Sequence, residues 1–314
     1  MPQDTPTLDP TAHLLVVDDF LPREDALAMR ACIDRHFATP HEHAPQTHQL
    51  WNYWHVPGLY TYLRTMPEKI VPRPAVEALV ARLAAWGLET LGLATVGWPY
   101  LSMYVNGCRQ SLHNDSRNGR FGWVWSLTRD ERQASGGETL VMRPEDAGRP
   151  LYDSKAGTDF YELVPPRFNR LVLFDDRMPH AVQPTEGSYD PAHARFVLHG
   201  HLRENGASFR GPLPRAAFAD AVAAMNAGLA PFLRAAPAPW HGLLALRIGV
   251  GADGRVHEVR RQVDRVLPVN GNPDRTRAPV RVALELARAL RFAPLAQAAE
   301  LFVPIRFGGA VDER

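Results

Sequence analysis

From residue 98 to residue 207 the chain is built of short apolar runs, each soon broken by Gly, Asp, Asn or Pro. Runs of about five residues suffice for a strand but not for a stable helix. This texture predicts an all-β body, a sandwich or a barrel. The flanks read differently. "HLLVVDDFLP" (13–22) predicts a short apolar strand ending in acids. "REDALAMRACIDRHF" predicts a helix, with acids in its first turn and Met29, Ile33 and Phe37 spaced four apart. A second helix is predicted over 74–91, with Val76, Leu79, Val80, Leu83 and Trp86 on one face and Pro74 in its first turn. Between these helices, residues 40–64 are dense in His and aromatics and show no clear period, as a lid would.

The C-terminal part predicts a separate unit. Residues 208–239 are expected to be a Pro- and Ala-rich linker around a short helix. Residues 240–314 then give strand, Asp-Gly turn, strand, helix and strand, a small ββαβ domain. One side of its helix carries Val280, Ala283, Leu284, Ala287 and Leu290, and Pro304 is better suited to an edge strand than to a sheet centre. The fold class is therefore α+β, and 314 residues allow two domains. With 35 Lys and Arg against 34 Asp and Glu, no global basic field gathers nucleic acid or anionic membrane. Cys32 and Cys108 have no CxxC partner and are expected to be reduced. The N-terminus lacks the charge and apolar core of a signal peptide, and no apolar run reads as a membrane span. The expected compartment is the cytoplasm.

Chemistry enters with "SLHNDSRNGRF" (111–121). On a strand, His113 and Asp115 point to one face. A lone HxD is also what a hydrogen-bonded surface pair looks like. Downstream, "FNRLVLFDDRMPHAVQPTEG" runs a strand into a turn and then His180, and "HARFVLHGHLRE" opens a strand with Arg195. Two imidazoles and one carboxylate suit a facial triad for non-haem Fe(II), which leaves three adjacent positions open. A guanidinium fork can hold the carboxylate of a cosubstrate bidentately. If Arg195 faces inward, strand alternation turns Val197 and His199 inward too. Trp123 and Trp125 fit the core better than a substrate platform. His41, His43 and His48 are irregularly spaced and fit a polar loop. Arg117, Asn118 and Arg120 fit either a substrate contact or a solvated hairpin.

Taken together, "YVNGCRQSLHND", "ASGGETLVM", "LVLFDDRMPHAVQP" and "ARFVLHG" resemble the catalytic core of the Fe(II)/2-oxoglutarate-dependent oxygenase superfamily, in its prolyl-4-hydroxylase-like branch. "LLVVDDFLPREDA" resembles the opening strand and helix of that branch. The resemblance implies a double-stranded β-helix, or jelly roll, over residues 1–207, with N-terminal helices. It implies His113, Asp115 and His180 as iron ligands and catalytic residues, Arg195 on the distal carboxylate of 2-oxoglutarate, and Tyr104 as a hydrogen-bond donor to that cosubstrate. His199 is a further candidate for the cofactor pocket. "SYDPAHA" lengthens the path from His180 to Arg195, so an insertion must loop out, and Val197 stands where a Ser or Thr is frequent. The implied activity is a dioxygenase that uses Fe(II), 2-oxoglutarate and dioxygen to hydroxylate an unactivated C–H bond. The carboxylate of Asp115 argues against halogenation.

Residues 240–308 resemble the C-terminal domain of TonB-type proteins through "ADGRV", "ALRFAPL" and "FVPIRFG". No membrane anchor or long Pro-rich spacer accompanies them, so energy transduction is not expected. An edge strand for recruiting an extended peptide, or for pairing two copies as a homodimer, is. The expected substrate is an amino-acid side chain in a peptide or protein. A small metabolite, or a non-catalytic jelly roll serving as a binding module, are the alternatives. Near-zero charge and the lack of an Arg-rich run after His180 disfavour nucleic-acid demethylation.

Overall fold

The computed structural model describes residues 9–39, 50–115, 120–131, 133–143, 160–234, 240–268 and 277–308. They divide into two compact units, one of residues 13–83 and 96–203, the other of residues 1–12, 84–95 and 204–314.

The first unit is built on an antiparallel sheet. Its strands hydrogen-bond in the order β1 (Leu14–Val17), β11 (Leu171–Asp175), β7 (Phe121–Ser126), β14 (Arg195–Arg203), β5 (Tyr100–Tyr104), β3 (Tyr60–Thr65), β6 (Arg109–His113), β12 (His180–Val182), β9 (Thr139–Met142) and β10 (Tyr161–Val164). The strand β2 (Asn52–Val56) adds to β3, and β8 (Ser135–Gly136) pairs with β13 (Thr185–Glu186). The short β4 (Thr95–Val96) lies where the chain passes between the units. This large antiparallel sheet is consistent with a jelly-roll core.

Two helices accompany the sheet. α1 (Arg23–Phe37) buries Ala26, Met29 and Ile33, and α2 (Arg73–Leu91) buries Val76, Leu79 and Leu83. α1 also buries Arg30, whose guanidinium donates to Leu127 O at 3.0 Å and Ala192 O at 3.2 Å and pairs with Asp34. A buried charge needs such partners to be tolerated.

The expectation of an unpatterned segment over 40–64 is corrected for its second half. Residues 52–65 form the β2–β3 hairpin, turning at Gly58 with φ 75°. Among the described residues β2 pairs on one side only, and it buries none of its own residues, so it has no apolar–polar alternation to betray it. His41, His43 and His48 lie outside the described residues.

A single Asn ties the N-terminal segment to the sheet. Asn169 has φ 60°, a left-handed conformation that Asn tolerates better than most residues, and it is fully buried. Its side chain donates to Leu21 O (2.7 Å) and accepts from Leu21 N and the Trp125 indole N–H, each at 3.1 Å.

The second unit contains β15 (Ser208–Arg210), β16 (Trp240–Val250), β17 (Val256–Asp264), β18 (Leu267–Pro268) and β19 (Ala299–Phe307), with helices α3 (Arg215–Leu233) and α4 (Ala278–Ala289). The main sheet runs β15-β19-β16-β17, with β18 on β16. Leu244, Leu246, Ile248 and Val250 alternate into its core. They meet Val280, Ala283 and Ala287 of α4, and Met225 and Leu229 of α3. α3 therefore packs as part of this unit, where a linker with a short helix was expected. Residues 84–95 join it through Glu89, which bonds Arg247, and through Gln262, which donates to Leu88 O and Glu89 O. β15 pairs with only Glu300 to Phe302 of β19, so Pro304 lies beyond it, where that flank is an edge.

α3 corrects one further expectation: by length and composition it is apolar enough to cross a membrane, although an Ala-rich helix gives no long run of large apolar residues.

Replacing Asn169 by Ala strips three buried backbone and indole groups of their partner. We expect Asn169→Ala to lower unfolding free energy by about 3 kcal/mol, read from denaturant midpoints. A loss below about 1 kcal/mol would show that Asn169 does not tie these segments together.

Candidate functional site

β6 ends at His113 and β12 begins at His180, and the antiparallel register sets these residues opposite each other. Directly opposed side chains lie close enough to interact, and the two ring centroids are 4.4 Å apart. Asp115 follows two residues beyond the strand, with its backbone N–H donating to Asp176 O at 2.9 Å. The "FDDRMPH" turn thus positions two site residues at once: it delivers His180 and anchors Asp115. The turn is held by Asp175, which accepts from the backbone N–H and guanidinium of Arg177.

One ligand atom from each of His113, Asp115 and His180 lies within 4.8 Å of the others. His113 Nδ1 is 2.7 Å from Ser111 O, and His180 Nδ1 is 3.0 Å from Met178 O. A carbonyl only accepts, so in both rings Nδ1 carries a proton and Nε2 is the atom left to face a metal; His180 Nε2 lies 3.4 Å from Asp115 Oδ2. Burial, and then the neighbouring His180, push His113 down, which favours the neutral ligand form. Burial alone would raise Asp115, but His180, His113 and His201 outweigh it and lower the carboxyl to about 2. Two imidazole nitrogens and one ionised oxygen fit a divalent cation with open coordination positions. The sequence-predicted set is thus brought together in space.

These residues line a cavity of about 600 Å³. β14 contributes Arg195, Val197, His199 and His201 to its wall, the alternate residues of one strand. Arg195 stands opposite Tyr104 in the β14–β5 register, with its guanidinium 4.7 Å from the ring centroid. It is 1% exposed and donates to Thr139 Oγ1 at 3.3 Å. Burial raises the pKa of Tyr104, so its phenol stays a donor. His199 Nε2 lies 2.8 Å from Ser102 Oγ; burial, then Arg64, lower its pKa to about 3, and it lines the cavity as a neutral ring.

The Gly-Gly of "ASGGETLVM" has a steric reason. Gly136 and Gly137 have φ 75° and 77°. A Cβ at Gly136 would lie 1.9 Å from Pro184 O, and one at Gly137 would lie 2.8 Å from Arg195 Cδ. Glycine here makes room for the buried arginine. The inserted "SYDPAHA" forms a 3₁₀ turn, Pro191–His193, capped by Asp190, whose carboxylate accepts from Ala192 N.

Other candidates fall elsewhere. Arg170 pairs bidentately with Asp18 at 2.5 and 2.8 Å. Trp123 and Trp125 are buried, and Trp123 also touches the cavity wall. Arg120 lies just before β7, while Arg117 and Asn118 are outside the described residues. Sequence reasoning missed His201, 3.9 Å from Asp115, and Trp54 and Arg64 of the hairpin, all of which line the cavity. Alternation along β14 could have found His201. The hairpin residues carried no signal, because the hairpin itself was not legible.

Residues 100–203 match the family model described as 2OG-Fe(II) oxygenase superfamily. No curated relative matches the chain. Among solved structures, it is similar to a prolyl hydroxylase in complex with a hypoxia inducible factor oxygen degradation domain peptide fragment, from Trichoplax adhaerens. That match has 13% identity and TM-score 0.44, covering 60% of this chain and 81% of the other. A Pseudomonas putida prolyl-4-hydroxylase matches at 20% identity and TM-score 0.43, covering 62% and 94%. HygX from Streptomyces hygroscopicus, with nickel and 2-oxoglutarate bound, matches at 12% identity and TM-score 0.41, covering 61% and 84%.

The geometry predicts that His113→Ala, Asp115→Ala and His180→Ala each weaken Mn(II) binding by more than about 100-fold, measured by calorimetry. The unfolding transition should persist, because the ligand side chains face a cavity. A variant that binds Mn(II) as the parent does removes that residue from the set.

Proposed function

We propose that this chain, an Fe(II)- and 2-oxoglutarate-dependent oxygenase by its domain at 100–203, hydroxylates an unactivated C–H bond of an amino-acid side chain in a peptide or protein. The observation that carries the chemistry is the convergence of His113, Asp115 and His180 on a cavity that also holds the buried Arg195. His113 Nε2, His180 Nε2 and one Asp115 oxygen would hold the iron. Iron and 2-oxoglutarate, when bound, supply the oxidation: dioxygen converts 2-oxoglutarate to succinate and carbon dioxide and the substrate C–H to C–OH.

The chain's own residues position and protect. Arg195 receives the distal carboxylate of the cosubstrate, its guanidinium pre-set by the Tyr104 ring and Thr139. Tyr104 donates its phenolic O–H to the cosubstrate. Tyr62, stacked on Tyr104 at 5.4 Å, packs with Val182 and Val197 as an apolar lining that excludes water. His199, held by Ser102, completes the wall of the cosubstrate pocket.

The peptide reading is supported by β2. This edge strand exposes Tyr53 (66%) and Val56 (38%), while its neighbour Trp54 lines the cavity. That edge offers backbone donors and acceptors to an extended chain. For the C-terminal unit we keep the TonB-like reading as a proposal: β17, at the end of its sheet, offers a second edge for an extended substrate, and a homodimer is the rival. Truncation is a poor test of it, since removing 240–314 would expose Met225 and Leu229 of α3.

The deciding experiment incubates iron-loaded enzyme and 2-oxoglutarate with peptides and with free amino acids, following succinate and a mass gain of one oxygen. Oxygen gain only on small metabolites replaces the peptide reading, and absence of succinate with every substrate leaves a binding module.

Two variants test the cosubstrate contact. Arg195→Ala should raise the KM for 2-oxoglutarate about 10- to 100-fold, the value of a lost charge-assisted bond. Gly137→Ala, which touches no ligand, should raise it about tenfold by displacing Arg195. An unchanged KM in both would move the carboxylate contact to another residue.

A further inference from the structure

Arg64 is a cation in the cavity wall that the iron chemistry does not use. It sits on β3, opposite Ser102 of β5. Its guanidinium carbon lies 3.8 Å from the Trp54 ring centroid and 4.1 Å from that of Tyr100. It is half-buried, and none of its N–H groups has a hydrogen-bond or ion-pair partner among the described residues. Two aromatic rings therefore fix its position while its N–H fork, which lies in the guanidinium plane, stays available.

Charge balance shows what the fork is available for. Among the described residues lining the cavity, Asp115 is the one acid, against Arg64, Arg195 and Arg203. A divalent iron, the 2-oxoglutarate dianion, Asp115 and Arg195 together are neutral. Arg203 is exposed and has water to solvate it. Arg64 is left as a partly desolvated cation without a counter-charge, and its field reaches His199, which it helps to keep neutral. A guanidinium in that position favours a carboxylate, which matches its fork in a bidentate pair.

We propose that Arg64, clamped between Trp54 and Tyr100, binds a carboxylate of the substrate, so that the enzyme acts on acidic molecules. This deepens the oxygenase reading and rests on it. The carboxylate belongs to a side chain of an acidic peptide or to a small organic acid; the chemistry at Arg64 is the same for both.

The test uses the full chain loaded with Mn(II) and 2-oxoglutarate, so that binding is read without turnover. Two matched pairs of probes are titrated by calorimetry and by quenching of tryptophan fluorescence. One is acetyl-alanyl-glutamyl-alaninamide against its glutaminyl counterpart, and the other is hippurate against hippuramide. We expect the acid of at least one pair to bind about tenfold or more tighter than its amide. That preference should fall to about twofold or less in Arg64→Gln and recover in part in Arg64→Lys, which restores charge without the fork. Preference within the first pair identifies a peptide substrate, and within the second alone a small acid. Equal or undetectable binding of acid and amide in both pairs overturns the proposal, as does a preference that survives in Arg64→Gln. The affinity for 2-oxoglutarate, measured in parallel, separates the two readings. If Arg64→Gln loses it and Arg195→Ala does not, Arg64 is the cosubstrate clamp, and both assignments fall. If Arg195→Ala alone loses it, the oxygenase site stands whatever the probes show.

Discussion

The site depends on one strand register. β12 pairs with β6 so that His180 stands opposite His113, and the register shifts between His180 and Val182 immediately after. A slip of one residue would turn every side chain of β12 to the opposite face. His180 would leave the cavity, and Val182 would leave the apolar lining around Tyr104. The register is held from both sides, because β12 also pairs with β9 through His180, Ala181 and Val182. It is further held by the turn before it, where Asp175 grips Arg177 and Asp176 O receives the Asp115 N–H. The convergence of the two imidazoles is the outcome of this ordinary sheet geometry.

The second constraint is the burial of Arg195. Taking a guanidinium out of water costs several kcal/mol unless charge or polar contacts replace the solvent. The Tyr104 ring and Thr139 contribute to that replacement, and a cosubstrate carboxylate would add to it. The cost recurs in the backbone: Gly137 adopts φ 77° and carries no Cβ because one would meet Arg195 Cδ. A motif glycine, a buried cation and a stacked tyrosine are therefore one device. His199 and Arg64 extend the same wall, so the cavity grades from the His113, Asp115 and His180 cluster to a cationic aromatic clamp.

How much of this was legible depended on whether one face of an element was buried. α1 and α2 show apolar residues at helical spacing because each presents a single stripe to a core, and Met29, Ile33, Leu79 and Leu83 are buried where the spacing placed them. His113, Asp115, His180 and Arg195 could be read because their residue types and order are chemically unusual. The β2–β3 hairpin could not, since β2 buries nothing and its aromatics follow no period. Asn169 was silent for a different reason: its role lies in a left-handed backbone and three long-range hydrogen bonds, none of which leaves a local pattern. α3 reads as part of a linker because alanine is neither polar nor large, so the stripe of Ala221, Met225 and Leu229 is faint. Arg64 shared the fate of its hairpin, which is why its place in the cavity wall emerges only from the structure.

We propose that His113, Asp115, His180 and Arg195 together hold Fe(II) and 2-oxoglutarate in one cavity. It is tested most directly by anaerobic titration of the protein with Fe(II) and then 2-oxoglutarate, followed by visible absorption. Chelation of iron by the keto and carboxylate oxygens of the cosubstrate creates a metal-to-ligand charge-transfer band. A band that requires both components and saturates at a single iron per chain is expected. It should disappear in Asp115→Ala, and in Arg195→Ala it should require far more 2-oxoglutarate. Iron binding without such a band at any 2-oxoglutarate concentration, or a band unaffected by both substitutions, would contradict it.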